Sequence, residues 1–442
     1  MSTTVLSSGL SELDRAFGKR LAGDREGALR GALAILETSP EQLFACALVC
    51  RLLIEAKRKV DVGSLGKRLV DGFYRRGDLP SAAWIVCAVE AAGGSGASLF
   101  SMIADGFGDG ARVSETASVA PPPLPKAITD EDVITQLSEE ALFARAERAL
   151  KHFMESADPV PDRTRVPSFP LFSALPPPLL ARVLGALKAR ELADGEPAFR
   201  QGDEGKEAFV VVRGMLKAVR GEGDSEVVLA ALGPGAIFGE MALVSDAPRA
   251  ASVLAVEPAA LLVIDRGALE ALACKESRLA KVVSEFCRER MLGHLMRHSP
   301  VFAPLAPDAR AQLMARFVSR SFEEGVSLVK QGEELSSMFL IASGSVRVTR
   351  QDPDGDRIEI AELGVGDVVG EISLVLRQPA TADVTASYPT VALELAREAF
   401  EGAISAHPGL LSELYAIATR RQTETRSVLA QESLDVGDAV LL

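Results

Sequence analysis

From Phe172 onward the sequence runs through one pattern twice. Phe172 and Leu175 recur as Phe302 and Leu305, Gln201-Gly202 as Gln331-Gly332, and Gly214 as Gly344, each pair 130 residues apart. Further along the spacing becomes 131: Gly239-Glu240 matches Gly370-Glu371, Pro248 matches Pro379, and Val253 matches Val384. Spacing held so closely by glycines and apolar anchors requires tandem copies of one folding unit, with one residue inserted in a surface turn where insertions cost little. After a helix expected at 177–189, each copy breaks into short alternating stretches. In the first these are punctuated by Gly195, Gly202, Gly205, Gly214 and Gly233-Pro234-Gly235, the pattern of an antiparallel jelly roll.

The chemistry concentrates at Phe238-Gly239-Glu240-Met241-Ala242, followed by Pro248-Arg249-Ala250-Ala251-Ser252-Val253. Gly239 permits a turn that a side chain would obstruct. The apolar run after it is expected to wind one short helix whose free N–H groups face back toward the turn, an anion-binding arrangement. Arg249 adds a permanent positive charge and a planar fork of donors suited to phosphate oxygens. Glu240 would repel phosphate, so its use is to accept hydrogen bonds from sugar hydroxyls.

These residues resemble the phosphate-binding cassette of the cyclic nucleotide-binding domain family, whose pattern is Phe-Gly-Glu, a small and an apolar residue, then Pro-Arg-Ala-Ala-Ser/Thr-Val. The resemblance implies that Glu240 holds the ribose 2′-hydroxyl, and that Arg249 and the N–H groups of Ala242 and Ala250 hold the cyclic phosphate. The expected ligand-binding set is Gly239, Glu240, Met241, Ala242, Arg249, Ala250 and Ser252. In relatives selective for cyclic GMP a threonine often follows the cassette arginine; here it is Ala250, which favours cyclic AMP, with cyclic GMP as the alternative.

The second copy reads Gly370-Glu371-Ile372-Ser373-Leu374-Val375-Leu376-Arg377-Gln378-Pro379-Ala380-Thr381-Ala382-Asp383-Val384. Ala380 stands where the first copy has Arg249, which forfeits a charge-assisted hydrogen bond pair. Asp383 stands opposite Ser252, and Arg377 lies three residues before Ala380. Gly370, Glu371, Ser373, Ala380 and Thr381 therefore form a degenerate site, expected to bind weakly, differently or not at all.

The remaining chain frames these copies. The expected architecture is α+β and multidomain: an N-terminal helical domain, then two jelly rolls with flanking helices. Residues 1–110 read as successive amphipathic helices with two Gly-Asp breaks, Gly23-Asp24 and Gly77-Asp78, loosely similar to tetratricopeptide repeats. Residues 111–129 form a linker containing Pro121-Pro122-Pro123-Leu124-Pro125. Residues 130–170 hold a helix that Asp130 can cap, then a proline-rich extended segment. The two nucleotide-binding domains are expected at 171–298 and 299–431, with a helix at about 276–298 between them, where the family places helices that move on binding. A last helix at about 409–430 and a tail at 432–442 follow.

Composition narrows the function classes. Lys plus Arg number 48 against 61 for Asp plus Glu, a net charge of −13, which opposes binding to a nucleic-acid backbone. A catabolite-activator type of transcription factor would also need a helix-turn-helix, and one helix follows each barrel. The opening MSTTVLSSGLSELD lacks a leader pattern, and no stretch is apolar for the ~20 residues of a membrane span, so a cytoplasmic location is expected. Five cysteines, odd in number and set in apolar helical segments, read as reduced thiols, and no metal site or catalytic constellation is expected. Two readings remain: a non-enzymatic nucleotide receptor that controls a protein partner through its helical domain or second barrel, and a protein scaffold with vestigial sites. The layout resembles the regulatory subunit of cyclic-AMP-dependent kinase. Where that family places Arg-Arg-x-Ser/Ala, however, this chain has Arg163-Thr164-Arg165-Val166-Pro167-Ser168, without adjacent arginines.

Overall fold

The computed structural model describes residues 11–111, 113–114, 134, 137–156, 166–169, 171–221, 226–244, 246, 248–298, 302, 305–351, 357–406, 409, 411–412, 414–421 and 423. The proline run at 121–125, Asp130, Arg163 to Arg165 and the tail at 432–442 lie outside these. The chain divides into two compact units, Met1–Leu243 with Arg249–Val283, and Val244–Pro248 with Ser284–Leu442.

The first unit begins with six helices, α1 (Glu12–Leu21), α2 (Arg25–Thr38), α3 (Leu43–Glu55), α4 (Val62–Arg75), α5 (Leu79–Ala91) and α6 (Ala97–Phe107). Both Gly-Asp breaks do the same work. Gly23 and Gly77 take left-handed conformations (φ 87° and 74°) that end one helix, and Asp24 and Asp78 cap the next through the N–H groups of Gly27 and Ser81. Helix α5 is buried along nearly its whole length because α4 and α6 flank it while it also packs on the first barrel. Gly106 lies inside α6; a Cβ there would strike the Tyr74 ring at 2.2 Å, so the glycine permits close helix packing. Helix α7 (Glu139–Glu155) packs on α2 and α3 through Leu142, Ala146 and Leu150, and Ser138 caps it. Two-residue strands β1 (Val113–Ser114) and β2 (Val166–Pro167) pair in parallel.

Helix α8 (Pro177–Leu184) is shorter than the expected 177–189, because from Lys188 the backbone is committed to the sheet. The first barrel contains β3 (Lys188–Leu192), β4 (Pro197–Phe199), β5 (Glu207–Arg213), β6 (Leu216–Arg220), β7 (Val227–Leu232), β8 (Ile237–Phe238), β9 (Ser252–Ala255) and β10 (Ala259–Asp265). They form two four-stranded sheets, ordered β3-β10-β5-β8 and β4-β9-β6-β7. Phe209, Leu216, Phe238, Val253 and Leu261 fill the space between them. Helices α9 (Arg266–Ala273) and α10 (Ser277–His298) follow, and the division between the compact units falls inside α10.

The second unit repeats the plan after α11 (Pro307–Met314). Its strands are β11 (Val318–Phe322), β12 (Ser327–Val329), β13 (Ser337–Ser343), β14 (Val346–Gln351), β15 (Arg357–Leu363), β16 (Val368–Val369), β17 (Asp383–Ala386) and β18 (Thr390–Ala396). The sheets are ordered β11-β18-β13-β16 and β12-β17-β14-β15, the first barrel's order shifted by eight. The change of spacing from 130 to 131 falls in one hairpin: Leu216 pairs with Leu232, and their counterparts Val346 and Leu363 pair likewise. Helix α12 (Glu371–Leu376) lies in the second cassette, and α13 (Arg397–Ala406) and helical residues of 409–423 follow the barrel.

Candidate functional site

In the first cassette Gly239 takes φ 71°, and Glu240–Leu243 wind one short helix of the 3-10 type. The N–H of Ala242 donates back to the Gly239 carbonyl at 3.2 Å. Arg249 returns to this turn from the far side. Although charged it is only 8% exposed, with Nη1 donating to the Gly239 carbonyl at 3.0 Å and Nη2 to the Glu207 carbonyl at 2.7 Å. Its guanidinium carbon stands 4.1 Å from the centre of the Phe199 ring. The N–H at Nε is shielded from solvent and has no acceptor among the described residues. Burial lowers the arginine's pKa while Glu207, Asp203 and Glu240 raise it. Gly239, Glu240, Met241, Ala242 and Arg249 are thus brought to one turn, with Ala250 exposed beside it. Ser252 is engaged elsewhere: its hydroxyl accepts from the N–H of Gln201 at 2.9 Å.

Two glycines make room for Arg249. A Cβ on Gly205 would lie 2.5 Å from Nη2, and one on Gly239 would lie 2.8 Å from Nη1. The loop carrying Gly205 is clamped to the arginine's own backbone: Gly202 N–H donates to the Arg249 carbonyl at 2.8 Å, and Arg249 N–H donates to Asp203 at 2.9 Å.

The second cassette keeps this clamp and loses the guanidinium. Gly332 N–H donates to the Ala380 carbonyl at 2.8 Å, and Ala380 N–H to Glu333 at 2.8 Å. The counterpart of Gly205 is Leu335, a substitution that sequence reading passed over although the 130-residue register displays it. Leu335, Val329, Val369, Ala380 and Val384 line a cavity of about 150 Å³ at the second cassette, and Leu335 stands against Gly370 as Arg249 stands against Gly239. Arg377 does not replace that charge; it is exposed and faces Glu401 at 3.8 Å. Asp383 repeats the task of Ser252 by accepting from Gln331 N–H at 2.8 Å. Thr381 and Ser373 line the same cavity.

Glu371, the counterpart of Glu240, is 2% exposed. Arg421 Nη1 donates to its Oε1 at 2.7 Å and also to the Val368 carbonyl, and Nη2 faces Asp367 at 3.5 Å. Burial raises the Glu371 pKa, and the Arg421 charge opposes that rise. This arginine was missed because the pairing spans 50 residues of sequence, beyond any local pattern.

Residues 189–275 and 319–407 match the family model described as "Cyclic nucleotide-binding domain", so the chain carries two tandem domains of that family. It is 30% identical over 269 residues to the "cAMP-dependent protein kinase type II regulatory subunit" of Drosophila melanogaster, covering 61% of this chain and 64% of that one. It is 29% identical over 233 residues to the "cAMP-dependent protein kinase regulatory subunit" of Yarrowia lipolytica, covering 52% of this chain and 58% of that one. The matches therefore span less than two thirds of either relative's own length. Among solved structures, the regulatory domain of Toxoplasma gondii PKA with cAMP aligns at 25% identity and a TM-score of 0.29, covering 57% of this chain and 92% of that one. No helix among the described residues is long and apolar enough to cross a membrane, and no described cluster of His, Cys, Asp and Glu is arranged for a metal ion.

Proposed function

We propose that this protein is a non-enzymatic cyclic-nucleotide receptor in which the first cassette binds cyclic AMP, the second does not, and binding controls a protein partner. One observation carries the reading: Arg249 is seated, almost wholly buried, at the Gly239 turn, whereas Leu335 and Ala380 replace that seat in the second copy. In the first copy the phosphate would meet Arg249 and the N–H groups of Ala250 and of Ala242, the last exchanging the Gly239 carbonyl for phosphate oxygen, and the ribose would meet Glu240. Ala250 favours cyclic AMP over cyclic GMP. In the second copy the carboxylate of Glu371 is already held by Arg421.

The named relatives are kinase regulatory subunits, which favours a protein kinase as the partner. The segment Arg163 to Ser168 lacks adjacent arginines to fill a kinase active site, so the docking surface is assigned to the helical domain or the second barrel. A ligand that binds only the folded protein raises its unfolding temperature. Cyclic AMP is therefore expected to stabilise the native chain in thermal unfolding and to leave Arg249→Ala unshifted. Equal shifts in both would favour a scaffold with vestigial sites.

A further inference from the structure

We propose that the cleft between α3, α4, α5 and β3, inside the first compact unit, binds a small, uncharged, largely apolar molecule through one hydrogen-bond acceptor that Trp84 engages. None of the residues lining this cleft belongs to the first cassette. It encloses about 370 Å³, near the lower end of the range that small-molecule sites occupy. Its room comes from small residues, among them Ala47, Gly66, Ala88, Ala91 and Ala92, where larger side chains would close it. Trp84, the chain's single tryptophan, lines the cleft and is 3% exposed. Its indole Nε1–H is shielded from solvent and has no acceptor among the described residues. A buried donor without an acceptor carries a desolvation cost that a matching acceptor removes.

The walls also set the charge of the occupant. The charged residues of the lining are Arg51, Glu55 and Glu191, and they are already matched. Arg51 lies 3.4 Å from Glu55 and 3.0 Å from Glu191, and Arg20 pairs with both carboxylates. A charged occupant would lose its hydration without finding a free counter-charge. The thiols of Cys50 and Cys87 complete the polar part of the lining; burial pushes them up to about 11 and about 12, so both stay protonated at neutral pH. The interior is therefore uncharged, and its unmet polar requirement is an acceptor for the indole N–H. A carbonyl or ether oxygen on a hydrocarbon frame answers both conditions.

Because the chain has one tryptophan, a proton–nitrogen correlation spectrum of the full chain carries one indole N–H signal, and that signal reports on the cleft. The test is titration of the full chain with octan-2-one, without cyclic nucleotide, beside Ala88→Phe, which fills the cleft. The native indole proton is expected to move to lower field and to saturate, as a donor does on meeting a carbonyl oxygen; the variant, shown by circular dichroism to be folded, is expected not to respond. Arg249→Ala should respond as the native chain does, which separates this site from the cassette. Should Ala88→Phe fail to fold, Ala92→Phe narrows the cleft from an exposed position. A native signal that does not move, or that drifts in proportion to octan-2-one without saturating, would overturn the proposal, as would a full response in the folded filling variant. A signal already at low field in the free chain and unmoved by the probe would show that the chain covers its own indole, and so would also overturn it.

Discussion

Arg249 fits beside the cassette turn because Gly205 has no side chain. The pair Gly205 with Arg249 in one copy, against Leu335 with Ala380 in the other, shows that losing the arginine was accompanied by filling its place with hydrocarbon. Restoring the charge alone therefore does not restore the seat. Ala380→Arg is expected to cost about 1–3 kcal/mol by overpacking, and Leu335→Gly to recover at least about 1 kcal/mol of that cost in a double-mutant cycle measured by urea unfolding. Additive effects would mean that Leu335 does not occupy the arginine's place. The asymmetry at Arg249 and Ala380 was legible from the register of the repeat. The hold of Arg421 on Glu371 was not, since nothing in either local sequence signals the other.

At the scale of elements, the Gly-Asp breaks were the most legible feature, because a left-handed glycine and a capping aspartate act through neighbouring backbone groups alone. Helix limits set by tertiary contacts were less so: α8 yields to the sheet at Lys188, and α6 contains a glycine whose reason is the Tyr74 ring. The cap of α5 also predicts a pH dependence. Burial raises the Asp78 carboxyl to about 6 from its ordinary value of 3.8, with hydrogen bonds from Ser81 opposing the rise. The native state then holds a proton that the unfolded chain releases, so this group's contribution to stability is present below about pH 4 and is lost as pH rises to about 6. Asp78→Asn keeps a good capping residue and removes the titration. Its urea midpoint is expected to exceed that of the native chain at neutral pH, the advantage shrinking as pH falls toward 4; a constant difference across that range would contradict the assignment.

At the scale of the whole molecule, strand β5 links the candidate site to the helical domain within the first unit. Its Glu207 end accepts from Arg249; its Arg213 end is buried, stands 3.8 Å from the centre of the Phe17 ring and pairs with Asp14 of α1. The second copy has Ser343 at the position of Arg213, so the joint belongs to the first barrel alone. The sequence could show that Arg213 lacked a counterpart but not that its partner lay 199 residues away. Breaking a buried ion pair from one side commonly costs about 3–5 kcal/mol, so Arg213→Ala is expected to lower the stability of the first unit by that amount in urea unfolding, where a loss below about 1 kcal/mol would show that the joint is incidental. Both barrels clamp the cassette through the same pair of backbone hydrogen bonds, but only the first seats an arginine there. Isothermal calorimetry of the native chain with cyclic AMP tests the consequence directly: the account predicts one site per chain, abolished by Arg249→Ala and unaffected by Glu371→Gln, whereas two equivalent sites, or one site that survives Arg249→Ala, would contradict it.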